Sequence, residues 1–433
     1  MDDRPDMDPA TSLKRFEALS RGEIDLSLDR IERVMSRLGS PHRHLPPVIH
    51  VAGTNGKGST CAFLRAMAEA AGLNVHVFTS PHLVRVNECI RLSGEQTSDA
   101  VFCSLLDRVY DGQDDEPLTS FEALTAAAFL AFAEKPADLL VLEVGLGGRG
   151  DATNIVPNPV VSVVTPVAFD HERFLGNGLG QIGWHKAGII KSNTPVVSAR
   201  QDDIVAQVIA EEALARGAPL YRLRTSDLRR IPADTALRGS HQVYNAALAA
   251  LALSVWGHQD VTAEAVEKGA RTAVWPARMQ RLSTGAVVDL AGLEEVWLDG
   301  GHNPHAAKAV ASLLSDMPGE TALVSAMMAG KDHEATFRAY AGVASQVFTC
   351  PNADGYANAS PRELADAARR AGLAARSFRS FEAALRAAGQ SGATRILICG
   401  SLRLAGAVLE ANGEAPDGQS LRSVSESVAM LPA

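Results

Sequence analysis

Lys57, Ser59 and Thr60 stand at the end of a glycine turn in the run PVIHVAGTNGKGST at 47–60. A lysine, two hydroxyls and closely spaced glycines at the start of a helical pattern are suited to phosphate. Glycines let backbone N–H groups close on phosphate oxygens, and a helix N-terminus adds positive potential. Lys57 is placed to neutralise β- and γ-phosphates, with Ser59 or Thr60 near a magnesium ion. The spacing is not the common one. GxxxxGK[ST] needs a glycine at position 51, which is Val51, and this loop reads GxxGKGST. A glycine turn with no ligand has no reason to carry Lys57 and two hydroxyls at a helix start.

Other residues could join that chemistry. Glu143 interrupts the apolar run LLVLEV at 139–144, and a carboxylate buried there is costly unless it is paired or binds a metal. An acid at the end of an apolar strand, downstream of a phosphate loop, suits Mg²⁺. Ser80 follows the strand Val75–Phe78. It is either a nucleotide-site residue or part of an ordinary Ser-Pro turn. The run GLGGRG at 145–150 has the wrong spacing for a dinucleotide fingerprint, and its Arg149 and the following Asp151 read as substrate-contacting loop residues. Asp170-His171 and His185-Lys186 carry no meaning singly. Phe121 reads as core rather than as the wall of a ligand site.

The elements that must position these residues alternate between strand and helix. Val48–Val51 reads as a buried strand, and the pattern from Phe63 to Ala70 as the helix that follows it. A helix is expected over Ile24–Leu38 with Asp25 as its N-cap, and another over Leu118–Ala133 capped by Ser120. Residues 1–10 and the tail after Gly413 read as weakly structured. Further strands are expected at Val160–Pro166, Val296–Leu298, Thr321–Ser325, Gln346–Cys350 and Arg395–Cys399, with helices over Leu237–Trp275 and from Ser360. Such alternation predicts an α/β protein with mainly parallel sheets. With 433 residues, two domains are expected, and Ser283-Thr284-Gly285 is the boundary, giving 1–284 and 285–433.

Composition bounds the function. Hydrophobic residues at 46% and charged residues at 21% are those of an ordinary globular protein. A net charge of −9 argues against non-specific nucleic-acid binding and requires local positive charge wherever an anion binds. The apolar segments Ala123–Ala133 and Ala246–Trp256 are too short to span a bilayer, and no signal-like core opens the chain. Five scattered cysteines with no CxxC pair fit a reducing compartment, with the cytoplasm as the expectation.

Laid side by side, HVAGTNGKGST at 50–60, TSPHLVRVNE at 79–88, LEVGLGGRGDATN at 142–154, DH at 170–171, KAGIIK at 186–191 and DGGHNPHA at 299–306 resemble the bacterial dihydrofolate synthase/folylpolyglutamate synthase family of the Mur ligase superfamily. The resemblance runs from about Ile24 to about Leu409. It implies an N-terminal P-loop ATPase-type domain, a C-terminal Rossmann-like domain and ATP-dependent amide ligation. A carboxylate of dihydropteroate, or of a folate's glutamyl tail, is phosphorylated to an acyl phosphate and then attacked by the amine of L-glutamate.

By matching motif, the resemblance implies that Thr54, Asn55, Gly56, Lys57, Gly58, Ser59 and Thr60 hold the phosphates. Ser80 and Glu143 hold one Mg²⁺, and His171 with Lys186 a second. Lys57, Glu143, His171 and Lys186 form the catalytic set, with Lys186 carbamylated so that it presents oxygen to the metal. Asn245 contacts adenine; Arg278 and Asp299 bind ATP, with His302 in the same motif. Ile24, Asp25, Leu26, Thr119, Ser120, Phe121, Glu122, Gly150, Asp151 and Ala152 line the pterin site. The partners implied are ATP, dihydropteroate, reduced folates and L-glutamate, with a monomer and neither nucleic acid nor membrane.

Three places depart from the family pattern. Cys89 stands where an arginine is common, Gly150 replaces a bulkier apolar residue, and Trp184-His185 replaces a small residue and an acid. They bear on acceptor choice and on the setting of Lys186. The readings that compete with the bifunctional enzyme are a single-activity folate ligase, a Mur-type ligase with another acceptor, and a nucleotide-binding protein that has lost ligation.

Overall fold

The computed structural model describes residues 8–19, 26–113, 116–352 and 358–413. It divides into two units, Met1–Ala236 with Val243–Ala273, and Leu237–Gln242 with Val274–Ala433. The expected boundary at Ser283–Gly285 lies inside the second unit, because the strand just before it, Gln280–Leu282, pairs with Val296–Asp299.

The first unit carries β1 (Val48–Ala52), β2 (Val75–Phe78), β3 (Ile90–Leu92), β4 (Glu95–Gln96), β5 (Leu139–Glu143), β6 (Val161–Val164), β7 (Val196–Ser198) and β8 (Leu220–Arg222). They form one sheet in the order β4-β3-β2-β5-β1-β6-β7-β8. The pairings β2–β5, β5–β1, β1–β6, β6–β7 and β7–β8 are parallel, while β3 and β4 add an antiparallel edge. Every residue of β1, β2, β5 and β6 is buried. Continuous apolar, β-branched runs are what a parallel sheet covered on both faces demands. The register sets Val51 opposite Glu143 and Phe78 opposite Leu142, so the phosphate loop, Ser80 and Glu143 leave the sheet at the same end.

The helix Ser120–Glu134 is buried without a break from Glu122 to Phe132. Its apolar residues surround the whole helix, as expected for one enclosed on all sides. Its cap is Thr119 and not Ser120. Thr119 Oγ1 accepts from the Glu122 N–H at 3.3 Å, and Glu122 Oε2 accepts from the Thr119 N–H at 2.8 Å, a reciprocal capping box. The helix expected from Ile24 spans Asp29–Arg37 and follows Leu28, so Asp25 does not cap it; Ile24 and Asp25 lie outside the described residues. A helix at Pro9–Leu19 occupies residues read from sequence as loose at their start, and it buries Phe16. The tail after Gly413 is also outside the described residues.

The second unit carries β9 (Gln280–Leu282), β10 (Val296–Asp299), β11 (Thr321–Ser325), β12 (Ala344–Thr349), β13 (Ala374–Ser377) and β14 (Arg395–Cys399) in the order β13-β12-β11-β14-β10-β9. All neighbours are parallel except β9, which closes one edge antiparallel to β10. The helices Pro304–Ser315, Pro361–Arg370 and Leu402–Asn412 start on side-chain caps from Asn303, Ser360 and Ser401. Two of them open with proline at the first position, where no N–H is missed.

Phe129 is fully buried in the cluster that joins the Ser120–Glu134 helix to the sheet of the first unit. Phe129→Ala is expected to cost about 3–5 kcal/mol. Urea unfolding checks this as a lowered midpoint with an unchanged slope.

Candidate active site

The phosphate loop is built where β1 ends. Gly53 has a φ of 149°, and a Cβ on it would lie 1.8 Å from Thr165 Oγ1. Only glycine fits a chain folded this tightly against the end of β6. Thr54 fastens the turn from behind. Its N–H donates to Pro166 O at 3.0 Å, and its hydroxyl donates to Ala168 O at 3.0 Å. The Asn55 N–H also donates to Pro166 O. Thr54 and the Asn55 amide therefore shape the loop. The donors directed at a phosphate come from the next residues. The Thr60 N–H makes the first intrahelical bond to Gly56 O, which leaves the amides of Lys57, Gly58 and Ser59 at the open end of the helix Lys57–Ala70, where no side chain caps them. Gly56, with a φ of 87°, is the N-cap, and a Cβ there would meet Asn245 Oδ1 at 2.5 Å. Asn245 thus lies against the loop itself.

Glu143 ends β5 only 3% exposed, and one of its oxygens accepts the Ser80 N–H at 3.3 Å. Ser80 is held by the turn that follows it. Glu88 gathers the amides of Leu83, Val84 and Arg85 at 2.8, 2.7 and 2.5 Å, which folds 83–89 back on itself. The Ser80–Pro81 peptide is cis. The carboxylate, the Ser80 hydroxyl and Thr60 Oγ1, which is buried with no hydrogen-bond partner, are hard oxygen donors of the type Mg²⁺ takes. No group of three His, Cys, Asp or Glu side chains converges on a metal position among the described residues. That fits an ion completed by substrate phosphates and water, as Mg²⁺ normally is.

Lys186 lies at the end of the helix Leu179–Ala187 and is buried. Its Nζ donates to Gly53 O at 2.8 Å, tying this helix to the phosphate loop. Burial, with Lys57 as a neighbouring like charge, lowers its pKa to about 7, while Asp170 and Asp151 pull the other way. A lysine held there is largely neutral at slightly alkaline pH. The residue after Asp170, His171, takes a left-handed φ of 53° and caps a short helix half-exposed, 3.9 Å from the Asp170 carboxylate. Asp170 was read from sequence only as the partner of His171; its place in a DH pair beyond a strand end is the signal that marks it.

The run 145–151 serves that helix rather than open solvent. The Arg149 N–H donates to His185 O at 2.7 Å. Its guanidinium lies 4.1 Å over the ring of Trp184 and pairs with Glu212 at 2.7 Å. Asp151 is buried and fully engaged, accepting from Leu146 N, Thr153 N and Thr153 Oγ1. Arg149 and Asp151, expected to contact substrate, also make structural contacts in this geometry. Their charges are used to hold the loop. Gly150 packs on Leu26, where an added Cβ would fall 2.0 Å from Leu26 O. Of the other expected pterin-site residues, Glu122 pairs with Arg30 at 3.1 Å, Phe121 packs on Gly145, and Ser120 Oγ is buried without a hydrogen-bond partner. Ala152 is buried at the start of a short 3-10 turn.

In the second unit Asp299 ends β10 with both oxygens engaged, accepting from Met279 N at 3.0 Å and Gly301 N at 2.7 Å. It joins the segment 277–279 to the DGGHNP turn. Ala277 and Met279 take left-handed φ values of 54° and 44° on either side of Arg278, whose Nη1 donates to Ala277 O. His302 Nδ1 lies 3.3 Å from Gly300 O. His241, absent from the sequence-based set, belongs here. Burial lowers its pKa, Asp299 raises it, and Arg278 and His305 lower it further.

A parallel sheet with an unusual phosphate loop, followed by a second parallel sheet bearing an aspartate-glycine-histidine turn, defines an amide ligase of the Mur type. Residues 277–402 match the family model described as "Mur ligase, glutamate ligase domain". The chain is 36% identical over 318 residues to the dihydrofolate synthase/folylpolyglutamate synthase of Bacillus subtilis, covering 66% of this chain and 71% of that protein. It is 32% identical over 415 residues to the Escherichia coli enzyme of the same name, covering 93% and 94%. It is also 31% identical over 416 residues to the folylpolyglutamate synthase of Lacticaseibacillus casei, covering 88% and 92%. Among solved structures, E. coli FolC in complex with DHPP and ADP superposes with a TM-score of 0.82 at 31% identity, covering 93% of this chain and 97% of that one. The Yersinia pestis bifunctional enzyme with AMPPNP and Mn ion gives 0.80 at 32%, covering 94% and 98%. The chain belongs to the dihydrofolate synthase/folylpolyglutamate synthase family.

The depressed pKa of Lys186 has a sign that can be measured. Its folded value of about 7 lies below the ordinary 10.5, so the unfolded chain binds more protons between those limits. Burial of the ammonium costs stability in full below about pH 7, and the cost fades as pH rises towards 10.5. Lys186→Met in carbon dioxide-free buffer is expected to raise the urea midpoint most near neutral and acidic pH, and least at alkaline pH. A difference that does not vary with pH refutes the assignment.

Proposed function

We propose that this chain joins L-glutamate to dihydropteroate and to the glutamyl tail of reduced folates, at the expense of ATP. The carrying observation is the convergence, at one end of one sheet, of the open helix end at Lys57, the buried Glu143 beside Ser80, and Lys186 held on Gly53 O. The family relationship supplies the acceptors.

A carboxylate is a poor acylating agent until its oxygen carries a leaving group. The acceptor carboxylate attacks the γ-phosphorus of ATP, ADP departs, and an acyl phosphate forms. The amine of glutamate then adds to the acyl carbon, the tetrahedral adduct loses phosphate, and the amine proton passes to solvent. The amides of Lys57, Gly58 and Ser59 and the Lys57 ammonium hold the phosphate oxygens as charge moves. Glu143 and Ser80 would hold Mg²⁺, which would spread the charge of the transferring phosphoryl group. His171 and Lys186 would serve a second Mg²⁺, although an imidazole is not a donor that hard Mg²⁺ favours. For Lys186 the neutral amine adds to carbon dioxide, forming an N–C bond and releasing a proton, and the resulting carbamate turns a cation into an oxygen donor. Burial that depresses the lysine pKa supports this step.

Asn245 is assigned to adenine, Arg278, Asp299 and His302 to ATP, and Leu26, Thr119–Glu122 and Gly150–Ala152 to the pterin. Ile24 and Asp25 are assigned with them. The enzyme acts as a cytoplasmic monomer on small molecules, with neither nucleic acid nor membrane as partner. No described helix is long and apolar enough to cross a membrane. A single-activity reading rests on the similarity to the L. casei folylpolyglutamate synthase.

The test is phosphate release with ATP, Mg²⁺ and L-glutamate, offering 7,8-dihydropteroate and a reduced monoglutamyl folate separately, with products read by mass. Glutamate added to both acceptors establishes the bifunctional reading, addition to one assigns a single activity, and addition to neither overturns it. Lys57→Ala is expected to lower kcat by about 10²–10³-fold or more, the loss typical of one transition-state donor. Lys186→Ala is expected to regain part of its activity with short-chain carboxylates, and absence of rescue removes support for the carbamate.

A further inference from the structure

The second unit holds a cavity of about 400 Å³ that plays no part in the ligase site. Arg238, Arg281 and Arg395 line it together with Glu295, Trp297 and Asp316. Its place in the fold sets it apart. Glu295 immediately precedes β10, and Arg395 is the first residue of β14. Asp299 and the DGGHNP turn are at the other end of β10. Ligand sites of parallel α/β sheets gather beyond the carboxyl ends of the strands, and this cavity lies at their amino ends.

The charges around it are not matched. Glu295 is already engaged, accepting from Arg281 at 2.7 Å and from the Trp297 indole N–H at 2.9 Å. Arg395 is 4% exposed, and its two terminal nitrogens donate to neutral oxygens, Thr321 Oγ1 at 3.2 Å and Pro318 O at 2.8 Å. Its Nε has no hydrogen-bond partner, and the nearest carboxylate oxygen, on Glu295, is 4.0 Å away. Burying a guanidinium on neutral acceptors with a spent carboxylate as its counter-charge is unfavourable unless an anion joins it. Arg238 lies 4.9 Å over the Trp297 ring, and this stacking is its one interaction among the described residues.

We propose that this cavity binds a phosphate group, as inorganic phosphate or a phosphate monoester. Three guanidinium groups from two strands and the segment before the helix Ser240–Trp256 suit a tetrahedral oxyanion, whose oxygens can be shared among them. A planar carboxylate needs fewer donors, as Glu295 shows by dividing its two oxygens between Arg281 and the Trp297 indole N–H. Trp297 is the shelf that holds Arg238 over the opening, and Asp316 marks the edge where negative charge returns. The site is independent of the ligase assignment, since none of its residues belongs to that machinery.

Calorimetric titration of inorganic phosphate into the full chain tests this, with the nucleotide site saturated by a non-hydrolysable ATP analogue and Mg²⁺. A parallel titration with glycerol 2-phosphate distinguishes the two sources, the tighter binder being the better match. Wild-type protein is expected to retain one phosphate site under these conditions. Arg238→Ala with Arg281→Gln is expected to weaken it at least about tenfold, the loss of one charged hydrogen-bonding partner or more. Lys57→Ala is expected to leave it unchanged. An unaltered thermal midpoint and ligase turnover for the double variant show that its fold is intact. Absence of binding once the nucleotide site is filled, or binding that the double variant leaves unchanged, overturns the proposal.

Discussion

The hydrogen bond from Lys186 Nζ to Gly53 O closes the first unit around its chemistry. It holds a phosphate-binding turn and the end of a separate helix to one position, and it does so with a charge-bearing group deep in protein. Two lysines near one another would repel at any pH where both are protonated, and desolvation adds to the cost. Asp170 and Asp151 offset part of that cost. The arrangement thus favours Lys186 as the neutral amine over a plain ammonium beside Lys57. Much of the surrounding sequence follows. Gly53 must be glycine because its carbonyl is turned to Lys186 while its α-carbon lies on Thr165. The chain 146–151 must lie on the Lys186 helix, which the Arg149 N–H bond to His185 O secures.

The parallel strands were legible in the sequence because burial on both faces leaves an uninterrupted apolar run. β1, β5, β11 and β14 fall where those runs do. The strands that escaped are short or lie at edges, such as β8 and β13, where partly exposed residues interrupt the pattern. β9 escaped because it precedes the Ser283-Thr284-Gly285 break, which reads as a boundary, and its pairing with β10 is a tertiary fact. Helix starts were legible where a hydroxyl stands directly before proline, as at Ser360, and misplaced where two hydroxyls compete, as at Thr119 and Ser120. Thr119 takes the cap because only it stands three residues before Glu122, which completes the reciprocal pair.

Candidate site residues were legible as types, while their division of labour was not. Thr54 sits in a phosphate motif, yet its hydroxyl is spent on Ala168 O. Asp151 sits in a glycine-rich loop and reads as substrate-contacting, yet it is buried and accepts three hydrogen bonds. Spacing along the chain reveals which groups are near one another only within one element. It carries no information on which lone pairs remain after folding has used the rest. Asp170 and His241 show the converse, since each gains its meaning from charges supplied by other segments.

Trp184 and His185 sit in the network that holds Arg149 against the Lys186 helix. Arg149 must be neutralised, because it is partly buried against the Lys186 helix, where, after burial, it is the charge that most lowers the His185 pKa. Glu212, on the helix Asp203–Ala215, supplies the counter-charge at 2.7 Å, and it also pairs with Arg216 at 3.0 Å. Trp184 supplies the other face of the guanidinium, remaining 48% exposed while its ring sits beneath Arg149. A cation held between an indole face and a carboxylate is fixed in plane and in direction, which an ion pair alone does not achieve. The backbone of Arg149 is fixed with it. The loop 145–151 therefore stays seated on the helix that presents Lys186 without an acid beside the lysine. Glu212 gives the counter-charge from a separate helix, and the loop that Arg149 holds lies on the helix whose Lys186 reaches Gly53 O.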